Sequence, residues 1–371
     1  MRRAIGIAEV LLVGAKKNRA GMLEFLSSLT AYDVVEKLGL AYAVASLLLY
    51  LRTKPWSPKH SLPPDIMKKI ANNTRPAPDT ELFPQYFPSA STGLWLYTRE
   101  WLPPSGKPKG VFFIVPGMGE HTIRYEFLAA QMGKIGFACY SLDHQGMGAS
   151  EGDRCHVERF SHYVQDFNAF VAHVLTRPGY EKLPRFLFGH SVGGLISIHM
   201  TTSHDWKHPG GTDWTGVVLS APCIVPDPKV TQWPKIPIGK LLSNVLPKFV
   251  VTEPLPTSGI TSNEQVFDLY RSDPHLYHGG LPARWGIEMF FALSACQKEL
   301  IEKFDRPFLI LHGQADKIIS PSGSEDFYKR AASADKTIKR YDGFRHEILN
   351  EPKEARHRVV ADITAWVKQK M

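Results

Sequence analysis

A serine flanked by glycines is the first group in this sequence that points to chemistry. Gly189-His190-Ser191-Val192-Gly193 is a G-x-S-x-G pentapeptide; it follows the run RFLF and opens the apolar stretch VGGLISIHM. A sharp strand-to-helix turn at that place strains the serine backbone and exposes its hydroxyl. The helix start behind Ser191 carries partial positive charge, which favours negative charge developing there. A serine hydroxyl is a weak nucleophile and needs a base, itself oriented by an acid. With an elbow of this kind the chain order is Ser, Asp, His. Asp316 follows the apolar run 308–311 in LHGQAD, and His346 comes thirty residues later in GFRHE. Asp305, Asp326 and Asp342 do not directly follow that run, so Asp316 is the expected acid and His346 the expected base. Two backbone amides must hold the oxyanion. Val192, next to the nucleophile, supplies one. The loop Pro116-Gly117-Met118-Gly119-Glu120-His121 supplies the other through Met118, between two glycines. This chemistry needs neither a metal nor an organic cofactor.

Such groups work only if a rigid frame brings them together. From residue 94 onward, β-rich runs at 94–101, 111–115, 137–141, 186–188, 217–219, 308–311 and 337–341 alternate with helical stretches. The helical stretches fall at 125–134, 160–175, 192–204, 322–334 and 355–370. Several β-rich runs are almost wholly apolar, as strands covered on both faces must be. The alternation predicts an α/β fold, a mostly parallel sheet with helices on both faces. Residues 222–300 break the rhythm. They contain no convincing strand, and Leu241, Leu242, Val245 and Leu246 fall at helical spacing. An insertion after the strand at 217–219 sits over the C-terminal strand ends, where ligands bind in open α/β sheets. It is expected to be a lid.

The remaining sequence bears on surroundings. Hydrophobic residues make up 43% and charged residues 22% of the chain, values that fit a globular protein rather than a disordered one. The net charge is +8, and residues 1–60 hold nine Lys/Arg against four Asp/Glu, a net +5. That basic, apolar-rich extension fits an anionic membrane surface better than nucleic acid, and no basic stripe interleaved with aromatics occurs elsewhere. The run at 38–51 is fourteen residues without a charge. As a helix it spans about 21 Å, against the roughly 30 Å of a bilayer core. Arg52, Lys54 and Trp56 follow it as interfacial anchors would. An interfacial or short spanning anchor is one reading; a helix packed on the main domain, or part of an organellar transit peptide, are the others. Eight prolines between Pro55 and Pro88 predict a linker over 61–90, with the main domain at 91–371. Four scattered cysteines without a C-x-x-C pair suggest reduced thiols rather than a zinc or redox site. Together these features predict a membrane-associated protein on the cytoplasmic face.

Six ordered motifs resemble one family. They are GMGEHTIRYEFLA (117–129), DHQGMGASEG (143–152), FGHSVGG (188–194), YRSDPHLYHGGLP (270–282), HGQADKII (312–319) and GFRHEILNE (343–351). In these the chain resembles the monoacylglycerol lipases and related lysophospholipase-like hydrolases of the α/β-hydrolase fold. The resemblance implies a serine ester hydrolase with a membrane-resting lid, an apolar acyl tunnel and a monoacylglycerol or lysophospholipid substrate. It also implies that Glu120, Arg124, His190 and Tyr270 surround the glycerol headgroup; salt bridges that stabilise the loop are the other reading of Glu120 and Arg124. The sequence departs from the family at Pro116, where the family has histidine, and in its long N-terminal extension. An S33-type aminopeptidase, an acyltransferase and a non-enzymatic membrane scaffold are the rival readings.

Overall fold

The computed structural model describes residues 42–47, 49–50, 59–60, 85–202, 213–225 and 235–371. The chain divides into two compact units, Met1–Lys54 and Pro55–Met371. In the first unit, the described residues of the apolar run at 38–51 are helical and exposed. The run at 4–15 lies outside the described residues. Among the described residues no helix is long and apolar enough to cross a membrane.

The second unit is built on an eight-stranded sheet. Its strands are β2 (Tyr86–Pro88), β3 (Trp95–Trp101), β4 (Gly110–Val115), β5 (Phe137–Leu142), β7 (Arg185–His190), β8 (Gly216–Ser220), β9 (Phe308–Gly313) and β10 (Lys336–Tyr341). The spatial order is β10-β9-β8-β7-β4-β5-β3-β2. All neighbours from β10 to β5 are parallel, and β3 and β2 close one edge antiparallel. A separate antiparallel pair joins β1 (Lys59–His60) to β6 (Gly152–Asp153). Each expected strand occurs, with ends shifted by at most two residues.

Strand β4 shows how sequence becomes layers. Successive side chains of a strand point to opposite faces. Val111, Phe113 and Val115 accordingly pack in one buried cluster with Val164, Phe167 and Leu195. Phe112 and Ile114 pack in the other with Leu128, Met132 and Ile363. Helices α2 (Phe160–Leu175) and α3 (Val192–Thr202) cover the first face, while α1 (Glu126–Lys134) and α8 (Lys353–Gln369) cover the second. A strand with both faces covered has no polar side, so its sequence is apolar throughout. Helix α7 (Pro321–Arg330) follows β9.

Strand β2 falls inside the stretch expected to be linker. It is three residues long and ends on Pro88, too short to show a period. At a sheet edge the missing proline N–H costs no ladder bond. The insertion between β8 and β9 carries α4 (Lys235–Val245), α5 (Glu264–Ser272) and α6 (Ala283–Ala295). Helices α4 and α6 meet where Gly239 faces Ile287.

Candidate active site

Ser191 is the single residue between the end of β7 and the start of α3. Its φ is +53°, a left-handed conformation that costs a non-glycine residue about 1–3 kcal/mol. The surroundings hold it there. Ser191 N–H donates to the Ser220 carbonyl (3.0 Å), and its own carbonyl accepts from the N–H groups of Gly194 (3.0 Å) and Cys223 (2.9 Å). The turn is so tight that a Cβ on Gly189 would strike the Gly193 carbonyl, and one on Gly193 would strike Val115. Both glycines of the pentapeptide are therefore steric requirements.

His346 and Asp316 converge on this serine from loops at the C-terminal ends of β10 and β9. His346 Nε2 lies 2.9 Å from Ser191 Oγ, and His346 Nδ1 lies 2.7 Å from Asp316 Oδ2. The network assigns the Nδ1–H tautomer: Nδ1 donates to the carboxylate, and Nε2 accepts from the serine hydroxyl. Asp316 Oδ1 accepts from the N–H groups of Ile318 (2.8 Å) and Ile319 (3.0 Å). His312, four residues upstream on β9, brings Nε2 to 3.1 Å from Asp316 Oδ2. That histidine was missed in the sequence, although it stands inside the motif that carries Asp316. Burial by itself raises the Asp316 pKa, but hydrogen bonds from His312 and His346 and the charge of His346 outweigh it and hold the carboxyl well below the usual range. For His346, burial lowers the pKa, and the bond and charge of Asp316 prevail to raise it above 6.5.

The glycine-rich loop after β4 forms the opposite wall. Gly117 N–H is already taken by Glu120 Oε1 (2.6 Å), which also accepts from Tyr125 OH (2.8 Å). A Cβ on Gly117 would crowd Glu120 and Ser191. With Gly117 committed, Met118 is the next amide in the loop, and it lines the cavity at Ser191 together with Val192. Val192 opens α3, where N–H groups have no intrahelical acceptor.

A cavity of about 190 Å³ opens at Ser191. All four residues that the resemblance assigned to the headgroup line it: Glu120, Arg124, His190 and Tyr270. Glu120, Arg124 and Tyr270 form one connected cluster with Glu347, which follows the base in sequence, and His190 lines the same cavity. Arg124 lies 2.5 Å from Glu347 Oε2 and 3.9 Å from Glu120 Oε2, and its guanidinium sits 5.6 Å from the Tyr270 ring centre. Burial disfavours the Arg124 charge, but Glu347 and Glu120 reverse that and raise its pKa. Burial also disfavours the Glu347 charge, and Arg124 and other partners bring that pKa down. Burial lowers the pKa of His190, whose Nδ1 lies 3.1 Å from the Ser220 carbonyl. Burial pushes the Tyr270 hydroxyl up to about 12. The rest of the lining is largely apolar: Ile319 stands beside Val225, Leu255, Ile260, Trp285 and Met289 of the insertion. Glu347 carries no sequence signal of its own, because Arg124, its ion-pair partner, stands more than two hundred residues away.

Known proteins resemble this chain in sequence and in fold. The family model described as serine aminopeptidase, S33 matches residues 106–353. A monoglyceride lipase of Rattus norvegicus is 34% identical over 280 residues, covering 75% of this chain and 88% of the relative. The Homo sapiens monoglyceride lipase is 35% identical over 283 residues, again covering 75% and 88%. Among solved structures, a soluble variant of the Saccharomyces cerevisiae monoglyceride lipase with a substrate analogue superposes with a TM-score of 0.67 at 25% identity, covering 80% of this chain and 97% of that one. The chain belongs to the serine aminopeptidase, S33 family of α/β-hydrolases, and is a carboxylic ester hydrolase similar to the monoglyceride lipases.

Proposed function

We propose that this chain hydrolyses monoacylglycerols to a fatty acid and glycerol through an acyl-enzyme on Ser191. The observation that carries the reading is the two-sided cavity, with a connected polar cluster and a largely apolar remainder meeting at one serine. The polar cluster suits the glycerol hydroxyls. The apolar lining suits an acyl chain, with each buried methylene favouring binding by about 0.8 kcal/mol. His346 takes the Ser191 proton as Oγ attacks the ester carbonyl. The amides of Met118 and Val192 hold the oxyanion, and His346 passes its proton to the departing glycerol oxygen. Water then attacks the acyl-enzyme by the same steps and frees the acid, while Asp316 keeps the imidazole in the working tautomer.

We read the chain as a basic N-terminal extension, a linker that ends before β2, and a hydrolase domain that includes β2 and whose insertion is the lid. Exposed apolar side chains on the insertion, among them Ile238, Leu241, Val251 and Leu255, support a lid that rests on a lipid surface. In the first unit, exposed Tyr42, Leu47, Leu49 and Tyr50 support a membrane-binding helix. An aminopeptidase would need carboxylates free to meet an ammonium group. Glu120 and Glu347 are instead engaged by Gly117, Tyr125, Arg124 and Asn350. The test is a substrate panel with full-length protein. We expect 2-oleoylglycerol to exceed trioleoylglycerol, lysophosphatidylcholine and an aminoacyl-naphthylamide by at least about tenfold in kcat/KM. A preference for any of the other three overturns the proposal.

A further inference from the structure

Residues 258–262 of the insertion are wedged between the loops that carry Asp316 and His346. On the acid side, a Cβ on Gly259 would sit 3.1 Å from Ile318 Cγ1. On the base side the contacts are polar. His346 belongs to no strand or helix, so its backbone needs partners from elsewhere. Its N–H points to the Gly259 carbonyl (3.4 Å), and the N–H of Glu347 donates to the Ile260 carbonyl (2.7 Å). Two side chains that flank the base reinforce this seam. The Arg345 guanidinium donates to the carbonyls of Ser258 (2.8 Å) and Thr261 (2.7 Å). Glu351 is only 2% exposed, and a buried carboxylate persists only where donors satisfy it. Its Oε1 accepts from Arg345 N–H (2.7 Å); its Oε2 accepts from Ser262 N–H (3.0 Å) and from the Ser262 hydroxyl. One carboxylate thus joins the residue before the base to the residue before the N-cap of α5.

We propose that Arg345 and Glu351 are positioning residues, a clamp through which residues 258–262 of the insertion set the attack geometry of His346. The proposal rests on the reading of His346 as the base. The insertion then has two separable parts: one that lines the cavity, and one that fixes the catalytic loop. A base 2.9 Å from its serine has little tolerance, since a displacement of about 1 Å costs about a hundredfold in rate.

The test uses full-length protein, p-nitrophenyl butyrate as a short soluble ester, and active sites counted with a fluorophosphonate. Glu351→Ala should lower kcat per active site by about ten- to a hundredfold with KM within about twofold. The low-field Nδ1 proton resonance of the His346–Asp316 pair should shift or broaden in that variant. Glu351→Gln keeps one amide oxygen and should recover most of the loss. Arg345→Met, on a partly exposed side chain, should cost about tenfold in kcat and decides the matter if Glu351→Ala does not fold. Unchanged kcat per active site and an unchanged resonance in Arg345→Met, and in Glu351→Ala where it folds, overturn the clamp, even if thermal stability falls. His346→Ala separates the two readings. If it stays active, the base assignment is wrong; if it is dead while the clamp variants behave as wild type, only the clamp is wrong.

Discussion

The sheet side and the insertion side of the cavity contrast in how they are held. Strands β4, β5, β8 and β9 are buried at every residue. On the insertion side, α5 buries no residue and α4 exposes Leu241 at 64%. Ser191 stands on the elbow after β7 and Asp316 on the loop after the buried strand β9, while His346 follows β10, an edge strand that is only partly buried. Tyr270 stands on α5. Reaction geometry therefore rests largely on the part of the molecule that is costly to deform, whereas Tyr270, in the substrate wall, rests on a helix with little burial to lose; α6, which carries Trp285 and Met289 into the core, is an exception within the insertion. Residues 258–262 are another exception, since that segment of the insertion is pinned to the base loop.

The largest expected effect breaks the chemistry and leaves both sides standing. Ser191→Ala should lower kcat by about 10⁶-fold and abolish fluorophosphonate labelling, with an unchanged circular dichroism spectrum. Next comes Asp316→Asn, at about 10⁴-fold in kcat. It also carries a sign in pH. His346 must be neutral to act as base, so kcat/KM should rise with pH through a pKa above 6.5 in the wild type. Removing the carboxylate leaves burial, which lowers the pKa, so the inflection in Asp316→Asn should move to lower pH. A profile measured on a soluble ester checks both the position and the shift. Smaller still are the stability effects that contrast the two sides directly. Phe308→Ala, in a fully buried strand, should destabilise by about 3–5 kcal/mol in urea titration. Leu241→Ser, on exposed α4, should stay within about 0.5 kcal/mol. Comparable values for these two substitutions would dissolve the contrast.

The frame was legible because a doubly covered strand must be apolar along its whole length, as GVFFIV and FLILHG are. Helix α2 begins and ends where its periodicity does. Strand β2 was illegible because three residues ending in proline carry no period. The triad was legible through local context, since each member stands on the turn or loop that follows a strand. His312, Glu347, Arg345 and Glu351 were not, although three of them flank His346. Glu347, Arg345 and Glu351 act through partners remote in sequence or through backbone atoms, and neither leaves a mark in residue type; His312 stands only four residues from Asp316 and shows its role once the loop after β9 turns the two side chains together.

By itself, then, the amino-acid order determined which serine is strained, which strands are buried and where the sheet is interrupted, because these follow from sterics and burial within short segments. Only the tertiary structure decided that Arg124 pairs with Glu347 and that residues 258–262 hold the base loop. Those facts depend on distances across the fold, where a charge or a hydrogen bond is worth most once water has been excluded.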